Sequence, residues 1–446
     1  MYFSEKKIFD KITFSLAGSF SRGFAKPGYN LKIRGKDDLF GRRQFKLRGD
    51  ATEPTYMRTK LVSDIRNRIG MPSLSANYAT LYINNEYYGL YIFTDIYKES
   101  WIEYVYGEKD TQSLYKCNYG FLDFKYRSFF ENENKDATNK KELYEFLADM
   151  TKAKSSSDVE SIFDLDQFYK EIAVDVLVSS WDHTIHNYYI YKNKENNKWI
   201  YFSHDYDLDM GISRGASMRL SDLYYSDTIE KLVSKNDPRF REIMSEIVSK
   251  VFNPATLYPH IDELKSFIRS YVKLEKTPDE NGQYPGRINK FASDFYTMKQ
   301  WEDSVEFKSL STGELPSIYA LKKFILLKYR VICNDYKLEC DPIYLDRNYG
   351  KELNITDDLV MDELSNKKEQ IELELGNEVK TEDTITSTIS SEPIQTTSSN
   401  DNINDITDVP DDDNTIDVDV TDGIIEEEDD SSDDDDNDSS EDSHKN

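Results

Sequence analysis

The sequence contains little cysteine and no long apolar run, and each absence excludes a class of protein. The three cysteines, Cys117, Cys333 and Cys340, lack the spacing of a zinc site. Cys333 and Cys340 could pair, but three thiols are not a disulfide framework and say little about the compartment. Because no run of about 18 apolar residues occurs, we expect no transmembrane segment. The first ten residues lack the apolar core of a signal peptide, so either the protein is not secreted by that route or the chain starts downstream of its true beginning.

Aromatic residues and positive charge are scarce at one end of the chain. Of the formal net charge of −28, residues 352–446 carry −29, from 33 Asp and Glu against 4 Lys, and the other residues carry +1. Trp, Tyr and Phe are absent from residue 351 onward. Such a segment cannot bury enough apolar surface to offset the entropy lost on ordering. We therefore predict a disordered acidic tail at 351–446, with cations or basic proteins as candidate partners, and expect no nucleic-acid partner.

The tail also places four serines among acidic residues, at Ser431, Ser432, Ser439 and Ser440. These serines are candidate phosphoacceptors, either for this protein or for another kinase that prefers acidic sites. The alternative interpretation is a polyanion that keeps the protein soluble or binds cations.

Residues 11–95 are predicted to form strands around one helix. The segments KITFSLAGSF, YNLKIRG and QFKLRG alternate apolar and polar residues, as strands do. Apolar residues then recur at helical spacing from Met57 to Ile69, before Gly70 and Pro72. Two more strands, YATLYI and YYGLYIFTD, flank a turn at 84–86. This is the order of elements in the amino-terminal lobe of a protein kinase, so we predict a β-rich lobe at 1–95.

The loop Gly18–Lys26 and the strands around it hold the candidate nucleotide contacts. The loop could cover phosphates with backbone N–H groups and Lys26, or it could be an ordinary β-turn, since it lacks G-x-G-x-x-G. By strand order, Lys46 best fits the lysine that grips the α- and β-phosphates, with Asp64 as the available acidic partner. The full set of candidate cations is Lys26, Lys32, Lys46 and Arg48.

Residues 96–350 are predicted to form a mainly helical second lobe. Asp166–Ser180 is apolar on nearly all sides, which indicates a buried helix. Apolar stripes at helical spacing predict further helices at 238–252, 257–274 and 316–334.

The buried helix leads into Trp181–Gly211, which predicts a hairpin with acidic residues at both ends. Two alternating segments flank a polar turn. Because a hairpin brings its ends together, Asp182 and Asn187 should lie close to Asp205. Two carboxylates and an amide form an oxygen site suited to Mg²⁺ or Mn²⁺.

Asp-x4-Asn occurs once in the chain, at Asp182 and Asn187, and its place before a hairpin is that of a kinase catalytic loop. In phosphoryl transfer, Asp182 would lie near the acceptor hydroxyl, and Asn187 with Asp205 would hold the metal. Asp207 and Asp209 are alternative or second-metal ligands. The other interpretation is a solvated acidic turn, with Asp182 capping a helix.

Three histidines near this stretch, His183, His186 and His204, keep a zinc site as an alternative. No further ligand has a useful spacing, and Mg²⁺ prefers oxygen, so we interpret these histidines as structural.

The motifs together resemble a known family, the spore-coat CotH family of secretory-type atypical protein kinases, which also includes fungal surface proteins. The resemblance covers about Phe14 to Lys337. It lies in the loop GSFSRGFAKPGYNLKI, in TYMRTKL with LYINNEYYGLYIFTD, in LYKC, in WDHTIHNYYIY and in HDYDLDMG.

This resemblance implies a two-lobed, protein-kinase-like α+β fold and an extracellular or cell-surface location. It implies an ATP-dependent kinase that uses Mg²⁺ or Mn²⁺ and acts on Ser-rich protein substrates of spores or cell surfaces. Carried onto this chain, it makes Asp182 the catalytic-loop acid, Asn187 and Asp205 metal ligands, and Lys26 or Lys46 a nucleotide contact.

Two classes of function stay open, because His-Arg-Asp and Asp-Phe-Gly are both absent. The first is an active protein serine kinase. The second is a kinase-fold protein, weakly active or inactive, that binds or builds a coat or cell wall as an adhesin does. A glycan-acting hydrolase with Asp182 and Asp205 as its acid pair fits poorly, because no aromatic sugar platform is identifiable.

Overall fold

The computed structural model describes residues 7–310 and 318–349, together with a short strand at Asp417–Val418. Within these ranges, helices and antiparallel sheets are combined, which confirms the predicted α+β class. The acidic segment 351–446, which we predicted to be disordered, lies outside the described residues except for that strand.

The described strands form two antiparallel sheets. The larger one has the spatial order β10-β1-β2-β3-β5-β4, and the smaller one has the order β7-β6-β8-β9. The strands, in chain order, are β1 (Ile12–Leu16), β2 (Tyr29–Ile33), β3 (Gln44–Arg48), β4 (Ala76–Ile83), β5 (Glu86–Asp95), β6 (Leu114–Cys117), β7 (Phe130–Asn132), β8 (Tyr188–Lys192), β9 (Trp199–Ser203) and β10 (Asp417–Val418).

Helices follow and separate these strands. In the described ranges they are α1 (Ser19–Arg22), α2 (Arg58–Arg68), α3 (Glu99–Tyr106), α4 (Lys141–Lys152), α5 (Leu165–Val178), α6 (Asp227–Leu232), α7 (Pro238–Lys250), α8 (Pro254–Glu275), α9 (Met298–Val305), α10 (Leu321–Tyr336) and α11 (Pro342–Leu345). Short 3-10 segments lie at Phe124–Phe129, Ser156–Asp158 and Leu220–Leu223. Among the described residues, no helix is both long and apolar enough to cross a bilayer.

The turn of the β4–β5 hairpin shows how local sequence chemistry sets an element. Asn84 and Asn85 both have positive φ, at 51° and 64°. Asparagine tolerates this conformation, which matches the twist of the flanking strands in a two-residue hairpin turn. The predicted loop at 18–26, in contrast, contains the helical turn α1, which is too short to show helical periodicity in a sequence.

Helix α5 lies in the main apolar core and fixes the start of the loop that follows. Its N-cap is Asp164, whose side chain accepts a hydrogen bond from the Gln167 backbone N–H at 3.1 Å. Twelve of its fourteen residues are buried, so the predicted buried helix is confirmed. The helix ends at Val178, its C-cap Ser179 takes a left-handed conformation, and residues 182–185 of the following loop are still buried.

A buried ion pair joins α2 to α5 and β9. Arg66 contacts Glu171, and both side chains are completely buried. The guanidinium also donates to Ser203 Oγ at 3.0 Å. Helix α2 is therefore fixed directly to α5 and β9, which lie in the later part of the chain.

We expect Arg66→Met to lower the free energy of unfolding by about 3–5 kcal/mol, because Glu171 is then a buried charge without its partner. The double variant Arg66→Met/Glu171→Leu should recover part of that loss, since an apolar pair needs no counter-ion. Denaturant unfolding measures both. Arg239→Met is the matched control: its ion pairs to Glu160 and Asp166 are exposed, so about 1 kcal/mol or less is expected. Equal losses in the two single variants would contradict this role for Arg66.

The C-terminal end of α8 is also fixed to the larger sheet by buried ion pairs. Lys26 Nζ lies 2.6 Å from Glu275 Oε2, and Lys276 Nζ lies 3.0 Å from Asp50 Oδ2. Glu275 Oε2 also accepts a hydrogen bond from the Leu90 N–H of β5 at 2.8 Å. The segment 26–90 and the end of α8 therefore share several contacts of charged groups away from solvent.

The cysteines form one disulfide, between Cys333 at the end of α10 and Cys340, with Cα atoms 6.1 Å apart. This is the pair that the sequence left possible. Cys117 is free and buried, and burial raises the pKa of its thiol to about 12. It is therefore an inert core residue rather than a reactive one.

Candidate functional site

The loop between α5 and β8 holds the two members of the Asp-x4-Asn pattern side by side. Asn187 Nδ2 donates a hydrogen bond to Asp182 Oδ2 at 2.8 Å. Asp182 is 5% exposed, and burial raises the pKa of its carboxyl, although His183 and His186 act against that rise. The loop thus presents a buried, oriented carboxyl that takes up a proton more readily than an ordinary aspartate.

The ends of the β8–β9 hairpin meet, as the sequence predicts. The His204 backbone N–H donates to the Asn187 carbonyl at 2.9 Å, directly beyond the Tyr188–Ser203 pair that ends the ladder. Asp205 then takes a left-handed conformation with φ of 74°. The acidic turn that starts there consequently folds back towards the loop that carries Asp182.

His183 connects the acidic turn to α5. Its Nδ1 lies 2.8 Å from Asp175 Oδ1, and its Nε2 lies 3.2 Å from the Asp205 carbonyl oxygen and 3.8 Å from Asp209 Oδ2. Burial lowers the pKa of His183, but the carboxylates of Asp209 and Asp175 outweigh it and raise that pKa well above its usual value. These carboxyl groups favour the protonated form of His183, which links α5 to the acidic turn.

Arg48, the last residue of β3, approaches the acidic turn from the larger sheet. Its Nη1 lies 2.7 Å from Asp205 Oδ1 and 3.4 Å from Asp207 Oδ2, and these two carboxylates keep 27% and 26% of their side-chain surface exposed. Burial raises the pKa of Asp205, but Arg48 and Lys46 outweigh it and hold that pKa well below its usual value. Burial and the neighbouring Asp205 raise the pKa of Asp207 to about 7. Arg48 therefore compensates only part of the negative charge here.

Lys46 lies two residues before Arg48 on the same strand and is half-buried. Among the described residues, its ammonium has no hydrogen bond and no ion pair. Arg48 and burial lower the pKa of Lys46 to about 8, and Lys116 of β6 contributes in the same direction. Asp205 and Asp207 oppose this fall in pKa. Cations that lie close to one another are typical of an anion-binding site. Lys116 belongs with Lys46 and Arg48 in this group of cations. It was not among the cations predicted from the sequence, although it lies within the motif LYKC.

Lys26 has different surroundings from Lys46. It is completely buried, and besides Glu275 its Nζ donates to the Leu90 carbonyl at 2.6 Å and to the Tyr56 hydroxyl at 3.1 Å. A phosphate could reach this ammonium only after the pair with Glu275 opened. Its role as a nucleotide contact stays a prediction, and Lys46 is the more accessible of the two lysines.

Asp64, considered above as the acidic partner of Lys46, is engaged elsewhere. Its Oδ1 lies 2.5 Å from Lys60 Nζ, and its Oδ2 lies 2.8 Å from His260 Nε2. The carboxylates that act on the pKa of Lys46 are instead Asp205 and Asp207.

No group of three or more His, Cys, Asp or Glu side chains is arranged to hold a metal ion within the described ranges, and this holds for the acidic residues at 205–209 as well as for the histidines. The donor chemistry still fits a hard divalent cation, because Asn187, Asp205, Asp207 and Asp209 offer oxygen atoms. Asp209 Oδ2 is buried and accepts no hydrogen bond from the residues that the structure describes. Burial raises the pKa of Asp209 to about 8, and Asp182 adds to that rise although His183 opposes it. A divalent cation would relieve this excess of acidic groups.

Fold and site together define a class of protein. It is an α+β protein with acidic residues on one side of the site and cations on the other. The acidic side is the loop with Asp182 and Asn187 and the end of the β8–β9 hairpin, and the cations lie on β3 of the larger sheet. Comparison with known proteins gives the family: a family model described as CotH kinase protein matches residues 14–307. The chain belongs to the CotH family, and the resemblance seen in its motifs is confirmed.

The curated relatives include fungal and bacterial proteins. Invasin CotH3 of Rhizopus delemar is 24% identical over 374 residues, which cover 74% of this chain and 60% of that protein. Inner spore coat protein H of Bacillus subtilis is 23% identical over 288 residues, which cover 59% of this chain and 78% of that protein. Spore coat protein homolog 1 of Rhizopus delemar is 24% identical, over 56% of this chain and 45% of that protein. This chain thus spans about half to three fifths of these fungal relatives.

Proposed function

We propose that the protein is an atypical protein kinase with a two-lobed, kinase-like arrangement, which transfers phosphate from ATP to serines of a coat or cell-surface protein. The observation that carries this proposal is Lys46, a half-buried ammonium without an ion pair in the described chain, beside Arg48 and across from Asp205 and Asp207. Phosphoryl transfer needs cations for the phosphates, carboxylates for a divalent cation and a carboxyl near the acceptor. Asp182 supplies the last of these.

Each side chain then has a role in the transfer. Lys46 binds a phosphate oxygen of ATP, and Asp182, oriented by the Asn187 amide, accepts the proton of the serine hydroxyl. The raised pKa of Asp182 favours that step. Asn187 and Asp205, with Asp207 or Asp209, would hold Mg²⁺ or Mn²⁺, which supplies positive charge against the phosphates. Arg48 neutralises Asp205 in the free protein and would be available to a phosphate if that carboxylate held a metal ion.

Lys46→Met tests the nucleotide site. We expect it to weaken ATP binding about tenfold or more, because a charge-assisted contact to phosphate is lost while the length of the side chain is kept. Calorimetry with ATP and Mg²⁺ measures the affinity, and labelled ATP with a Ser-rich acceptor measures transfer. Lys152→Met, on the exposed face of α4, should change neither. If the wild type binds no nucleotide with either metal, the kinase proposal is wrong.

The pH dependence of ATP binding offers an independent check on Lys46. Its pKa is about 8 in the free protein, so the ammonium is charged at pH 7 and increasingly neutral above pH 8. ATP affinity should therefore fall as pH rises through about 8 to 9. Lys46→Arg, which keeps its charge, should remove that fall. An identical decline in both proteins would mean that another group titrates.

A kinase-fold surface protein with a binding role is the second candidate. The Arg48–Asp205 ion pair favours it, because Asp205 already has a counter-ion without any ligand. Several relatives are named invasins, which suggests a surface role here as well. An extracellular or surface location suits both candidates, and the Cys333–Cys340 disulfide fits an oxidising compartment. A measurement of nucleotide binding distinguishes the active kinase from the surface binding protein.

A further inference from the structure

Arg214 lies next to the loop that carries Asp182 and has no role in the machinery described so far. Its guanidinium carbon is 5.2 Å from the centre of the Trp181 ring, and Trp181 directly precedes Asp182. Both side chains are half-buried. Within the part of the chain that the structure describes, Arg214 has no hydrogen bond and no ion pair with a carboxylate.

The backbone on both sides of this stacked pair is anchored. Ser179 Oγ donates to the Gly215 carbonyl at 2.9 Å, which fixes the segment beside Arg214 to the end of α5. The Tyr225 hydroxyl donates to the Trp181 carbonyl and lies 2.8 Å from Thr184 Oγ1. The backbone at Trp181 and the backbone next to Arg214 are therefore both anchored.

This arrangement suits an anionic ligand. Stacking on an indole ring satisfies the face of a guanidinium and leaves the donors on its edge available. Burial lowers the pKa of Arg214, although the group stays charged at neutral pH. A carboxylate or phosphate is the partner that such a planar set of donors binds best.

We propose that Trp181 and Arg214 form a subsite for an acidic side chain near the acceptor serine, so that the protein selects serines in acidic peptides. This inference rests on the proposed kinase function and names its substrate class. Ser431, Ser432, Ser439 and Ser440 stand among acidic residues, which makes the chain's own tail one such substrate. In the transfer, serine Oγ bonds to the γ-phosphorus, the bond from that phosphorus to the β–γ bridging oxygen breaks, ADP leaves with the electron pair, and Asp182 takes the hydroxyl proton.

Binding of a labelled peptide tests the subsite without relying on catalysis. The probe is a peptide with the sequence of residues 426–443, and the control has the same serines with Asn and Gln in place of the acids. Anisotropy with the full-length wild type should show tighter binding of the acidic peptide, weakened by salt. Arg214→Ala should weaken binding of that peptide about tenfold and leave the neutral one unchanged. The affinity of Arg214→Lys for the acidic peptide should lie between those of the wild type and Arg214→Ala, because lysine keeps the charge but lacks the planar donors.

A control variant and a measurement of phosphate transfer distinguish failure of the subsite from failure of the kinase proposal. Arg127→Ala removes another arginine that lies over an aromatic ring, Phe124, at an exposed position, and it should leave peptide binding unchanged. Mass spectrometry after incubation with ATP should find phosphate on the tail serines, at a rate that Arg214→Ala lowers. Selective peptide binding without any phosphate transfer would overturn the kinase proposal and keep the subsite. Equal affinity of the wild type for both peptides, or equal losses for both in Arg214→Ala, would overturn the subsite.

Discussion

Asp182→Asn is expected to lower the rate of phosphate transfer about 10²–10⁴-fold, because no group then accepts the proton of the serine hydroxyl. Asparagine has the same shape and can keep the hydrogen bond with Asn187. Burial already disfavours the charged form of Asp182, so removal of that charge should not unfold the loop. Steady-state kinetics with a Ser-rich peptide measure kcat, and calorimetry measures ATP affinity, which should stay within about twofold.

The control for this variant is Asp149→Asn, which changes an exposed carboxylate on α4 and should leave transfer intact. A loss of ATP binding in Asp182→Asn, with kcat preserved for bound ATP, would assign Asp182 to the nucleotide rather than to the acceptor.

Asp205→Asn is expected to lower kcat/KM about 10²–10³-fold, as removal of one well-placed electrostatic group does in other active sites. The substitution keeps the backbone, because asparagine tolerates the left-handed conformation that Asp205 adopts. It removes both the counter-ion of Arg48 and one of the carboxylates proposed to hold the metal ion. The concentration of Mn²⁺ that gives half of the maximal rate should therefore rise about tenfold or more.

Asp207→Asn is the matched comparison, because this neighbouring carboxyl has its pKa raised to about 7 and is partly neutral already. Its effect on metal dependence should be smaller at pH 7. An unchanged Mn²⁺ requirement in Asp205→Asn would exclude that residue as a metal ligand.

The elements of the fold could be predicted where the sequence has a clear period. The alternation of apolar and polar residues predicted β1 to β5 and the β8–β9 hairpin, and the apolar surface of α5 predicted that this helix is buried. Both patterns indicate which face of an element is covered. The hairpin also predicted that its two ends meet, and the hydrogen bond from the His204 N–H to the Asn187 carbonyl follows from that local geometry.

Contacts between distant segments could not be predicted in the same way. Lys26 and Glu275 are 249 residues apart, and nothing in the periodicity of either segment identifies the other as its partner. The stacking of Arg214 on Trp181 and the pairing of Arg48 with Asp205 depend on how the sheets and helices pack, which a pattern of buried faces does not specify. The roles of Asp182, Asn187, Asp205 and Asp207 in chemistry remain predictions for the experiments above.

The ion pairs at the end of α8 have a consequence for how quickly the protein could exchange ligands. Lys26–Glu275 and Lys276–Asp50 join the larger sheet to the later helices with all four side chains nearly free of solvent. Breaking such pairs costs several kcal/mol each, so a hinge motion of the sheet is opposed. In the proposed kinase, ADP release would then depend on small movements such as rotation of Arg48, which take nanoseconds, rather than on domain opening over microseconds to milliseconds. Turnover would accordingly be limited by chemistry or by the departure of the peptide.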